Sequence, residues 1–69
     1  MIRLKSNMTE WGWPVESNAE LFQALLENPA FHGIGEEFIA GALEELHAGP
    51  VIEFETVRDL SEYVLQRFF

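Results

Sequence analysis

The chain has no cysteine, and from Ser6 to Val57 it has neither lysine nor arginine. Without thiols it can form no disulfide framework and no thiolate metal centre, so its fold must rest on apolar packing. Its 69 residues make one domain, 1–69, too short for a large core: such a chain buries only about 60% of its unfolded surface. It also lacks an apolar run near the ~18 residues that crossing a bilayer takes, and it lacks a basic, apolar leader at its start. A cytoplasmic location, without membrane contact, is the expectation. Six Phe, two Trp and one Tyr are what the core has to work with instead.

Charge is the strongest signal present. Twelve acidic residues stand against four basic ones, Arg3, Lys5, Arg58 and Arg67, for a formal net charge of -8. Ten glutamates (Glu10, Glu16, Glu20, Glu27, Glu36, Glu37, Glu44, Glu45, Glu53 and Glu55) fall inside the span that has no cation. A continuous negative field of this kind repels nucleic acid and attracts basic grooves, of which the best known are those that hold nucleic acid. The plainer alternative is an acidic coat that keeps a small protein in solution.

The best-defined stretch is Gly35 to Pro50, which carries its own helix signals. Glu36 and Glu37 suit the positive end of a helix dipole, His47 suits the negative end, and Gly49-Pro50 stops the helix. Phe38, Ile39, Ala42, Leu43 and Leu46 form an apolar stripe. On the other side Glu37 and Glu44 line up, Glu36 and Glu45 flank them, and only Ala40, Gly41 and Ala48 lie between. A mid-helix glycine costs about 1 kcal/mol relative to alanine. Gly41 therefore implies either close packing, with Trp11 or Trp13 lying over it, or a smooth patch that a partner approaches closely.

The remaining elements follow from local chemistry. Ile2 to Lys5 alternates as a strand, and Met8 to Pro14 reads as a second strand or an ordered extended arm, with Trp11 and Trp13 on one side. Ser17-Asn18-Ala19-Glu20 and Thr56-Val57-Arg58-Asp59 have capping spacing and open helices. The predicted helices are 18–28, with Leu21, Phe22, Leu25 and Leu26 inward, then 36–48, and 57–68, with Val57, Leu60, Val64 and Phe68 inward. Between the first two, Phe31 and Ile34 are expected as plugs, with Gly33 and Gly35 in unusual backbone angles. Val51 to Glu55 is a further strand, and pairing with the N-terminal one would set Arg3 and Lys5 across from Glu53 and Glu55. The expected architecture is α+β: a small antiparallel sheet of two or three strands with three helices packed on one face.

No catalytic motif emerges. Glu44-Glu45-Leu46-His47 contains a single Glu-x-x-His step, whereas a di-iron bundle needs two of them and two more glutamates. His32 has no nucleophile pattern near it, and the glycines around Ile34 lack the Lys-Ser/Thr of a phosphate loop. The protein is read as non-catalytic, with no cofactor and no metal. Its candidate partner-binding residues are Glu36, Glu37, Glu44 and Glu45, with Glu20 and Glu27 as outer contributors.

In being very short, free of cysteine, strongly acidic, rich in aromatics and α+β, the whole chain resembles the small phage-encoded anti-CRISPR proteins. The resemblance lies in size, charge and organisation, with no shared motif, so it transfers no residue roles. It implies an inhibitor that blocks a basic nucleic-acid-binding surface of a bacterial defence complex, as a DNA mimic, in the host cytoplasm and as a monomer or weak homodimer. An antitoxin or immunity-type inhibitor of a nuclease would use the same physics. A general adaptor, docking through Phe68-Phe69, would not.

Overall fold

The computed structural model describes all residues, 1–69, and its helices lie where the caps and stripes put them. Strand β1 (Ile2–Leu4) is followed by helix α1 (Asn18–Glu27), a 3-10 turn (Pro29–Phe31), helix α2 (Glu36–Ala48), strand β2 (Ile52–Phe54) and helix α3 (Val57–Phe68). Ser17 Oγ accepts the Glu20 N–H at 3.1 Å, and Thr56 Oγ1 accepts the Asp59 N–H at 3.1 Å. Each cap satisfies one of the four N–H groups a helix leaves open, so both boundaries follow from side-chain chemistry. Asn28 does the same for the 3-10 turn, its Oδ1 accepting from Ala30 N–H at 3.0 Å.

The core is one cluster of 13 buried apolar residues, at whose centre Leu25, Ile39, Leu60 and Val64 are wholly enclosed. α1 contacts both α2 and α3, and α3 contacts β2. The Phe54 and Tyr63 rings meet edge to face at 5.3 Å, fixing β2 against α3. Phe31 is buried as the plug between α1 and α2, and Gly33 takes a φ of +91°, while Gly35 has an ordinary φ of -62° as the α2 N-cap. Ile2, Leu4, Ile52 and Phe54 face the helices, and Arg3, Lys5, Glu53 and Glu55 face solvent.

The sheet departs from expectation in direction. Its two strands run parallel, not antiparallel, in the register Ile2↔Ile52, Arg3↔Glu53 and Leu4↔Phe54. A crossover through α1 and α2 separates the strands, which is the kind of connection a parallel pair takes, and the last carbonyls of α2 need donors. The Met1 ammonium supplies them, donating to Leu46 O at 2.6 Å, Gly49 O at 2.7 Å and Pro50 O at 3.0 Å. β1 therefore starts where α2 stops. β2 starts there too, just beyond Pro50, so both strands leave the same end of the sheet. His47 lies in the last turn of α2, as its position implies, and the Met1 ammonium adds positive charge at the same terminus.

The charge match across the sheet is made by Lys5 alone. Its Nζ lies 3.0 Å from Glu55 Oε1 and 3.6 Å from Glu53 Oε1, whereas Arg3, opposite Glu53 in register, forms no ion pair. The hydrogen bond to Glu55, then the charges of Glu55 and Glu53, raise the Lys5 pKa above its ordinary value. With the folded pKa above the unfolded one, this contribution is present below the ordinary lysine pKa and is lost as pH rises through the folded value. The side chain is more than half exposed, so the pair adds little to stability.

Residues 8–14 form a closed loop in place of an extended arm. Met8 and Pro14 make an isolated antiparallel bridge, and Gly12 turns the chain with a φ of +89°. Buried Thr9 ties the loop, its Oγ1 donating to Trp13 O at 3.0 Å and accepting from Trp13 N–H at 3.3 Å. The turn separates the two tryptophans: Trp13 packs on the core, and Trp11 is 46% exposed.

Candidate functional site

On α2, Ile39, Ala42, Leu43 and Leu46 are buried, an arc of about 100° on an ideal helical wheel. Phe38 does not belong to it. It falls about 40° beyond the edge of that arc, near Glu45, and is 62% exposed. Its apolar character suits the expected stripe, while its angle, level with a glutamate, is the sequence signal that places it outside. Truncation should therefore cost little: Phe38→Ala is expected to change unfolding stability by no more than about 0.5 kcal/mol in a urea melt.

The outward arc of α2 carries Glu37, Gly41, Glu44 and Ala48, all exposed, with Glu36 and Glu45 exposed to either side. Glu37 and Glu44 are seven residues apart, about 10 Å along the axis. Glu37 folds back across the helix start, where its carboxylate sits 3.0 to 3.1 Å from the point a Cβ on Gly35 would occupy. That placement sets a negative charge by the open N–H groups of the first turn, a favourable dipole interaction.

Neither tryptophan covers Gly41, for nothing lies within 4 Å of where its Cβ would stand. Packing within the chain thus does not offset the helix cost of this glycine. Gly41→Ala should stabilise the protein by about 0.5 to 1 kcal/mol, read as a rise in the midpoint of denaturant unfolding with an unchanged slope. A fall in the midpoint would mean that the position is crowded.

Two of the four cations are engaged elsewhere, and Arg3 and Arg67 form no ion pair, although Arg67 lines the same depression as Glu45. Lys5 is held by β2, and Arg58 lies 3.4 Å from Glu62 and 3.9 Å from Glu10. Glu36, Glu37, Glu44 and Glu45 have no ion pair and no side-chain hydrogen bond. The two outer candidates differ. Glu20 is half-buried, with Ser17 Oγ 3.4 Å away, and Glu27 accepts from Gln23 Nε2 at 2.9 Å. On an ideal wheel Glu20 and Glu27 lie about 100° and 80° around α1 from Ala19 and about 160° and 140° from Phe22, the two residues that border α2, so they sit to one side of that boundary.

The surface offers little to a small molecule. Its four depressions are open, of 260 to 290 Å³, under the roughly 300 to 1,000 Å³ usual for ligand pockets. No third His, Cys, Asp or Glu joins Glu44 and His47 in a metal-binding group. No helix is long and apolar enough to cross a membrane. What stands out is a helix face of four carboxylates that form no ion pair, open at Gly41 and bordered by an exposed phenylalanine. Set against known proteins, the chain matches no family model, no curated sequence and no solved structure.

Proposed function

We propose that this protein is a non-catalytic inhibitor that uses the exposed face of α2 to bind a basic, nucleic-acid-handling surface. One observation carries the reading: Glu36, Glu37, Glu44 and Glu45 form no ion pair in a fold that commits Lys5 and Arg58 to other carboxylates. Unpaired charges on one helix keep their full attraction for an outside partner. Glu37 and Glu44, seven residues and about 10 Å of helix axis apart, present two exposed carboxylates of the kind that stand in for phosphates. The anti-CRISPR resemblance in size, charge and organisation narrows the target to a bacterial defence complex of the host cytoplasm. A nuclease blocked by an antitoxin or immunity-type protein would present the same kind of surface.

A second reading rests on Trp11 and Phe69, each about half exposed: an adaptor that docks through apolar contacts. Salt separates the two. The immobilised protein should retain a basic partner from bacterial lysate at about 50 mM salt and release it by about 300 mM. Retention that is indifferent to salt, or capture of a partner with no basic surface, would overturn the acidic-face reading and favour the adaptor.

A further inference from the structure

The start of α1 and the middle and later turns of α2 border an open groove of about 260 Å³, lined by Ala19, Phe22, Ala40 and Leu43 together with Asn18, Glu44 and His47. The start of α1 thus lies along α2 from Ala40 onward, and the contact between the helices stays open where Ala19 and Ala40 leave room. We propose that the groove receives an arginine side chain of the protein partner. The inference rests on the reading of a basic partner and names the chemistry by which α2 would hold it.

Three features restrict the occupant. The lining is mostly apolar but includes the Asn18 amide and the His47 imidazole, the Glu44 carboxylate beside it is unpaired, and the whole chain has a net charge of -8. A purely apolar side chain would match the apolar lining but draw the Glu44 carboxylate from water without a partner, which is costly. An acidic group is repelled, and a metal ion would find one carboxylate and one imidazole with no third ligand. A cation on an apolar stem satisfies the apolar lining and the carboxylate together. Arginine fits better than lysine: its guanidinium is weakly hydrated, can lie against the Phe22 ring and can donate two parallel hydrogen bonds to one carboxylate.

The test is a titration of the 15N-labelled protein with an acetylated, amidated Gly-Arg-Gly peptide, followed through amide chemical shifts. Saturable changes concentrated at Phe22, Ala40, Leu43 and Glu44 are expected, with a dissociation constant on the order of millimolar. The matching Gly-Lys-Gly peptide should bind at least threefold more weakly. Ala40→Leu, which fills the groove, and Glu44→Gln, which keeps its shape, should each weaken the arginine peptide at least tenfold. Circular dichroism checks the fold of Ala40→Leu, and Glu44→Gln, with its unchanged volume, decides the matter should that variant unfold. Shifts spread evenly over Glu36, Glu53 and Glu62, equal binding of the lysine peptide, or indifference to both substitutions would overturn the proposal. Partner capture that is lost on charge reversal of α2 yet survives Ala40→Leu would remove the arginine groove and leave the acidic-face reading standing.

Discussion

Leu25→Ala is expected to lower the melting temperature by about 10 to 30 °C and to leave part of the chain unfolded at 37 °C. Leu25 is wholly buried on α1, the helix that touches both α2 and α3. Its truncation removes about 2 to 5 kcal/mol, through lost transfer energy and the cavity left behind. At the usual 0.05 to 0.15 kcal/mol per residue, a domain of this size has only about 3 to 10 kcal/mol to lose. No disulfide holds the elements together once the core loosens. Calorimetry of Leu25→Ala beside Phe38→Ala makes the comparison sharp, because one leucine and one phenylalanine differ in burial and not in apolar character. A drop below about 5 °C for Leu25→Ala would show that α1 does not bridge the other two helices as described.

That contrast also marks how far the fold can be read from residues alone. Helix limits are legible because they depend on near neighbours: Ser17 and Thr56 each cap a backbone N–H three residues on, and Pro50 bars any continuation of α2. Core positions are legible as periods, with Leu21, Leu25, Val57, Leu60 and Val64 buried as their spacing implies. Strand direction is not local. It turns on backbone pairing between residues about fifty apart, such as the Ile52 N–H donating to Met1 O, and no periodicity in Ile2–Leu4 or Ile52–Phe54 encodes it. The loop from Met8 to Pro14 is obscure in sequence for another reason: Gly12 permits both an extended path and a tight turn, and the Thr9 hydroxyl selects the turn. For the candidate site, the sequence shows which glutamates lack cations nearby, since Lys and Arg are absent around them. It does not show that Lys5 alone takes both Glu53 and Glu55, or that Glu20 and Glu27 sit to one side of the boundary between α1 and α2.

Reversing Glu37 and Glu44 together should leave the fold intact and abolish capture of the partner. Both side chains are exposed and pair with nothing in the chain, so their removal takes no contact from the core. Each Glu→Lys change adds two charge units, so the double variant moves the net charge from -8 to -4. That lessens self-repulsion, and the melting temperature should hold or rise, apart from a small cost where Glu37→Lys brings a cation to the positive end of the α2 dipole. A basic partner responds the other way, because two attractions become repulsions at the centre of the proposed contact. The expected loss is at least hundredfold in affinity at low salt, about 3 kcal/mol, with a slower association rate as part of it. Net charge alone contributes some of this, so the control is Glu10→Lys with Glu16→Lys, which changes the total equally but lies off the α2 face and outside the candidate residues. That control should lose no more than about tenfold, since exposed charges beyond a Debye length are largely screened. Equal losses in the two variants would reduce the acidic face to a general field, and undiminished capture by Glu37→Lys with Glu44→Lys would make it a solvated coat, leaving Trp11, Phe38 and Phe69 as the surface to examine.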